Sequence, residues 1–259
     1  MFDLKKCMIL AVAFSTMLTL GPALGVVADD SFRIENKVYL GDQKEPTSQS
    51  TTIFQDSAVY DYLEKPAEVV IFEKPAERFV LLDTVRRVRA ELPAQKVLSF
   101  TEHLQRRAEE QQDPLLKFLA NPVFEEHRDT AAGVLSFNST WVAYRLKTMP
   151  APNSAIAQRY REFSDWYARL GPILDPASRP PFARMRVNAV LEEKGLIPTE
   201  VCLTLTPKRG FWAKRLNIRS EHELAVQLSA GDVKRVSQTR QFMMLFNPVS
   251  IDRYIRVVD

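Results

Sequence analysis

The stretch STTIFQDSAVYDYLEKPAEVVIFEKPAERFVLLDTVRRVRAEL, residues 50–92, decides the fold. It holds five runs rich in Val, Ile, Phe, Tyr and Leu (STTIFQD, AVYDYLE, EVVIFE, RFVLLD and RRVRAEL), separated by DS, KPA, KPA and DTV. Short apolar runs at regular spacing, divided by turn residues, predict an antiparallel meander. In the last run Val88, Ala90 and Leu92 alternate with Arg87, Arg89 and Glu91, the period of a sheet with one wet face. The pentapeptide EKPAE occurs twice, at 64–68 and 73–77. Each copy spans the end of one run and the start of the next. Pro66 and Pro75 suit turns, whereas inside a central strand each would remove a ladder hydrogen bond. The repeat therefore reads as hairpin punctuation and not as a duplicated binding motif.

Outward from the meander, SFRIENKVYL (31–40) alternates as an opening strand. After Pro93 the period becomes helical: AQKVLSFTEHLQRRAEEQQD places Val97, Phe100 or Thr101, and Leu104 on one stripe. DPLLKFLANPVF predicts a short helix with Asp113 as N-cap and Pro114 in its first turn, stopped before Pro122. GVLSFNS and TWVAYRLKT form a hairpin around Asn138 and Ser139. In SAIAQRYREFSDWYARLG, Ile156, Tyr160, Phe163, Tyr167 and Leu170 mark a helix ending at Gly171-Pro172. PPFARMRVNAVLEEKG predicts another, ending at Gly195. TEVCLTLTP and FWAKRLNIRSEHELAVQLS follow, then a short helix around GDVKRVSQTRQF, an apolar MMLF run and RYIRVV. With no obvious linker, residues 29–259 read as a single α+β domain: a curved antiparallel sheet, an unclosed half-barrel, with helices covering one face. Such an arrangement can enclose an apolar cavity.

Residues 1–28 read as a secretory signal peptide. Lys5 and Lys6 precede an apolar run broken by Gly21-Pro22, and Val26 and Ala28 suit a cleavage site. A membrane anchor is the competing reading, since the run approaches the roughly 20 apolar residues that span a bilayer. Cleavage leaves no stable transmembrane anchor and places the mature chain in the periplasm or outside the cell. It also lowers the net formal charge from +3 to +2 by removing Lys5, Lys6 and Asp3. A nucleic-acid partner calls for a concentrated basic face, whereas the Arg86-Arg87 and Arg106-Arg107 pairs are each diluted by nearby Glu. Of the two cysteines only Cys202 survives cleavage, so stability must come from a core and not from an internal disulfide. About 230 residues suffice, burying roughly 70% of their surface on folding. Cys202 lies in an apolar run with no neighbour that would stabilise a thiolate.

Chemical motifs are sparse. The three histidines, His103, His127 and His222, have no metal-ligand spacing, and those flanked by carboxylates, in EEHRD (125–129) and EHE (221–223), read as solvated charged faces. Neither a G-x-S-x-G elbow, an S-x-x-K nor a P-loop occurs, and eight glycines leave little for a phosphate cradle. Carboxylate pairs such as Asp56 with Asp61 carry little weight in a chain so rich in acids. No catalytic residue, metal ligand or cofactor is assigned. Asn138-Ser139-Thr140 matches a glycosylation acceptor but serves equally as a hairpin turn. Aromatic residues gather in the second half, and Trp141, Tyr144, Phe163, Trp166 and Trp212 are the candidate lining of a ligand pocket. Their helical and strand periods equally suit ordinary core packing.

The pattern TTIFQDSAVYDYL…EVVIFEKPAERFVLLDTVRRVRAEL resembles the lipoprotein-carrier fold, that of the periplasmic lipoprotein chaperone and its outer-membrane acceptor, over residues 31–92. The chain also resembles a group of exported bacterial proteins sharing the VYD start, the LLD hairpin and the PPFAR helix. The carrier resemblance implies an unclosed barrel lidded by helices whose concavity shelters acyl chains. It further implies a noncatalytic envelope protein whose partner is a lipid, a lipoprotein or another hydrophobic group. The alternative is a structural or protein-interaction module of the envelope with no small ligand. The chain is longer than those carriers, and its helices between Asn153 and Gly195 decide between the two, according to whether they fill the concavity.

Overall fold

A computed structural model describes residues 31–176, 178–206 and 216–255; the expected signal peptide at 1–28, with Phe211 and Trp212, lies outside them. The expected strands are present as β1 (Phe32–Leu40), β2 (Ser48–Gln55), β3 (Ala58–Leu63), β4 (Glu68–Glu73), β5 (Arg78–Asp83) and β6 (Val88–Pro93), each paired antiparallel with the next. Both EKPAE copies lie at the β3–β4 and β4–β5 reversals. Three of the reversals carry one residue in the left-handed region, Asp56 (φ 53°), Glu77 (φ 46°) and Arg87 (φ 54°), a conformation most side chains avoid. Asp83 stiffens the β5–β6 turn by accepting from the backbone N–H groups of Val85 (2.9 Å) and Arg86 (2.7 Å).

The chain leaves the meander through α1 (Ala94–Glu109) and α2 (Pro114–Ala120), where the Asp113 side chain accepts from the Leu115 N–H and Pro114 fills the first turn. After β7 (Glu125–Asp129), β8 (Val134–Asn138) and β9 (Val142–Pro150) come α3 (Ser154–Leu174) and α4 (Phe182–Glu193), then β10 (Leu196–Leu205) and β11 (Leu216–Ala225). α5 (Ala230–Leu245), the short β12 (Asn247–Pro248) and α6 (Ile251–Ile255) close the described chain. β11 pairs with β1, so the two halves join into one sheet in the order β12-β6-β5-β4-β3-β2-β1-β11-β10-β9-β8-β7. β12 runs parallel to β6 and every other neighbour is antiparallel. The sheet is unclosed, with β7 and β12 at its ends.

Helices α1 to α4 lie on one face. Phe54, Val70, Phe72, Phe79 and Leu81 of the meander pack there with Val97 of α1 and Ile156, Tyr160 and Phe163 of α3. Farther along the same face, Val187, Val190 and Leu191 of α4 pack on Leu135, Leu146 and Val201. Each such side chain, fully buried, stabilises the fold by roughly 1.5–3 kcal/mol. To this cover the structure adds a helix on the other face: α5 sets Val236 and Phe242 against Ile53, Tyr60, Tyr62, Ile71, Val80 and Leu82. Strands β3 to β5 are therefore buried on both sides, which explains their near-continuous apolar runs.

Two boundaries differ from expectation. Helix α3 does not stop at Gly171-Pro172 but runs on to Leu174, with Pro172 buried inside it. Pro172 stands in the last turn, two residues before the helix ends, so it removes one intrahelical bond where little helix remains to be kinked. The MMLF run is the end of α5, where Met244 and Leu245 are exposed. No described helix is long and apolar enough to cross a membrane.

Candidate functional site: a two-lobed hollow between sheet and helices

Register places one row of side chains on the helix-covered face: Leu81, Val70, Asp61, Thr52 and Ile34, on β5, β4, β3, β2 and β1. Over β4 and β5 this face is bulky and apolar. From Asp61 onward it carries short polar groups instead: Thr52, Ser50 and Ser48 on β2, Asn36 on β1, and Ser220 and His222 on β11. These do not reach the helices, and a hollow of about 410 Å³ remains beneath α3. A second lobe of about 590 Å³ lies beneath α3 and α4, lined by Leu119, Val142, Tyr144, Val201, Leu203 and Ile218 among others. The lobes share Val38, Tyr167, Ala168, Arg184 and Ser220 as lining residues. Together they fall in the size range of small-molecule sites.

The smaller lobe carries a continuous hydrogen-bonded chain. The Ser220 hydroxyl lies 2.9 Å from His222 Nε2, and His222 Nδ1 lies 2.8 Å from Asn36 Oδ1. Asn36 Oδ1 can only accept, so His222 holds its proton on Nδ1 and accepts from Ser220 through Nε2. Asn36 Nδ2 donates to Ser50 Oγ (3.2 Å) and Thr52 Oγ1 (3.0 Å), and Thr52 donates to Asp61 Oδ1 (2.7 Å). Burial pushes the His222 imidazole down to about 3, and the nearby Arg184 charge acts in the same direction. Burial also raises the Asp61 carboxyl, against hydrogen bonds from Thr52, Ser50 and Tyr167. Tyr167 is raised well above the usual phenol range by burial and then by Asp61. A histidine so depressed is a weak base at neutral pH, and Asn36 and Thr52 separate it from Asp61, so the two do not act as a dyad. What this chain offers is a line of donors and acceptors along an otherwise apolar wall.

The aromatic candidates divide. Tyr144 lines the larger lobe and Phe163 the smaller. Trp141 lines neither and packs on Phe118 with ring centroids 5.3 Å apart. Trp166 seals the meander against Phe72 (5.4 Å) and Phe79 (6.1 Å), with the Arg169 guanidinium over its ring. Trp212 lies outside the described residues. His103 and His127 are exposed, whereas His222 is no solvated surface group: both of its ring nitrogens are hydrogen-bonded, to Ser220 and Asn36, and it lines the hollow. Asp56 sits in an exposed turn, 2.9 Å from the Arg240 guanidinium, and shares no site with Asp61. Cys202 is half-buried, and burial together with Glu200 pushes its thiol up, away from reactivity. Ser139 turns the β8–β9 hairpin, its hydroxyl donating to the Val142 carbonyl at 2.7 Å. Among the described residues no group of three or more His, Cys, Asp or Glu could hold a metal ion. Compared with known proteins, the chain matches no family model and no curated sequence.

One signal in the sequence points to the site. In AVYDYL the positions facing the helices are Val59, Asp61 and Leu63, and an acid in the middle of an inward-facing apolar trio marks a polar feature inside the protein.

Proposed function

We propose that the protein is an exported, noncatalytic component of the bacterial cell envelope, periplasmic or secreted, that holds a lipid or other hydrophobic group in this hollow. The observation that carries the reading is the two-lobed space itself: α3 and α4 cover the sheet without filling it. Its larger lobe is walled mainly by Val, Leu, Ile, Ala and Pro, which suits an alkyl chain, and its smaller lobe carries the hydrogen-bonding line from Ser220 to Asp61, which suits a polar end. The positively charged, apolar opening of the sequence supports export. The resemblance to the lipoprotein carriers agrees with the unclosed sheet.

Organic extraction of the purified protein followed by mass spectrometry tests the reading. A lipid or other hydrophobic compound should co-purify reproducibly with the wild type and be lost from Ala168→Phe, which places a bulky ring at a wall common to both lobes while keeping a cooperative unfolding transition. A clean extract from the wild type, or one that Ala168→Phe leaves unchanged, favours an interaction module with no small ligand.

A further inference from the structure

We propose that the hollow selects ligands whose polar end is an anion, a carboxylate or phosphate carried on an apolar chain, and that Arg184 and the Tyr144 hydroxyl hold that end. This rests on reading the hollow as a binding site and adds the charge of what it binds.

Arg184 stands in the first turn of α4 and lines both lobes. Its guanidinium donates to the Tyr160 hydroxyl at 3.1 Å, and among the described residues no carboxylate oxygen lies within 4.0 Å of it. On the same helical cover, Arg161 pairs with Asp165 and Glu192, and Arg186 with Glu126, while Arg169 stacks on Trp166. Tyr144 is only 5% exposed and lines the larger lobe, yet its hydroxyl has no hydrogen-bond partner among the described residues. The hydroxyl is not sealed in the core: Tyr144 borders the cavity, where a ligand atom could accept its proton.

Three further features favour negative charge. Arg179, exposed at the rim, lines the same lobe. The first turn of α4 has no side-chain cap, so its free N–H groups add a positive end to the lobe. Burial raises the Tyr144 phenol while Arg184 and Arg179 oppose the rise, placing both guanidinium groups within electrostatic reach of the hydroxyl. The two carboxyls lining the hollow do not cancel this charge. Asp61 belongs to the polar chain through Thr52, and Asp175 lies past the C-terminus of α3, where it accepts from the Ser178 hydroxyl at 3.3 Å. A neutral chain entering the larger lobe would strip water from Arg184 and return nothing, whereas an anionic end replaces that water with a charge-assisted bond.

Isothermal titration of the delipidated full chain with dodecanoate, dodecyl phosphate, dodecanol and dodecyltrimethylammonium tests the inference. Dodecanoate or dodecyl phosphate should bind at least about tenfold more tightly than dodecanol, the tighter of the two identifying the anion, and the cationic probe should be weakest. Arg184→Gln should remove the preference by weakening the anion and not dodecanol. Tyr144→Phe, which keeps the packing volume, should weaken the anion about threefold and dodecanol not at all. Equal affinity for dodecanol and dodecanoate, or an Arg184→Gln variant that weakens both alike, overturns the charge selection but leaves the hollow as a binding site. If none of the four probes binds, the reading of the hollow falls together with the inference.

Discussion

The two ends of the helix-covered face contrast sharply. Over β4 to β6 the inward positions include Val70, Phe72, Phe79, Leu81, Ala90 and Leu92, all buried, and α5 seals the opposite side of β2 to β5. Over β1, β2 and β11 the inward positions include Asn36, Ser50, Thr52, Ser220 and His222, and the helices stand clear of them. Both ends have the same backbone pairing and share α3 as cover. Side-chain volume and polarity at alternate positions are what separate a sealed layer from a hollow one. One sheet can thus be a stable scaffold at one end and a receptacle at the other.

Truncations give the largest expected effect and the most direct way to break this contrast. Leu81→Ala, in the sealed end, should lower stability by about 3 kcal/mol, because it opens a new cavity in a close-packed layer. Leu203→Ala, whose side chain already borders the larger lobe, should cost only about 1–2 kcal/mol, because it enlarges a space that exists. Urea midpoints of the two variants measure this, and equal losses would erase the distinction.

Acid titration sharpens the contrast at the polar chain. His222 has a folded value near 3 against 6.5 for the ordinary group, so its contribution to stability is complete above pH 6.5 and disappears as pH falls toward 3. About 2 kcal/mol should be lost between pH 6.5 and 4 in the wild type from this group, after allowing for water in the hollow. His222→Gln should flatten that limb. Asp61 works in the opposite sense: its carboxyl is raised above 3.8, so its contribution is present below 3.8 and is lost as pH rises through the folded value. Asp61→Asn should therefore steepen the acid loss that His222→Gln reduces. Urea unfolding at a series of pH values reads both slopes, and parallel shifts in the two variants would remove the polar chain from the account.

The smallest effect belongs to the exposed pair Lys74–Glu162, 2.8 Å apart, which ties the β4–β5 turn to α3. Lys74→Ala should change stability by no more than about 0.5 kcal/mol. A larger loss in the same urea assay would mean that surface charge, and not apolar filling, holds α3 over the meander.

The sealed end was far more legible from the sequence than the hollow one. Strand spacing and the two EKPAE turns announce the meander, and Asp113-Pro114 announces the start of α2, because these are local effects of backbone chemistry. The pairing of β1 with β11 joins residues nearly two hundred positions apart and has no local mark. The aromatic candidates divided for the same reason: periodicity puts Trp166 and Phe163 on one helix, but only tertiary packing decides that one seals Phe72 and the other borders the hollow. His222, set in the charged run EHE, looks like a surface residue until β1 supplies Asn36 opposite it. The end of α3 is not legible locally, because proline stops a helix by local rule, yet in the last turn little helix remains for it to disrupt.

The two fringes of the open sheet bear on how the molecule behaves among its own copies. An unpaired strand is a template on which another chain can lay itself down, and repeated addition leads to fibres. Here the outer fringe is β7, EEHRD, with every residue exposed and four of the five charged, and the other is a two-residue stub ending in Pro248, which has no N–H to give. Charge on every residue but one marks the first fringe, and a strand cut short at proline the second, both features that disfavour the addition of a further chain.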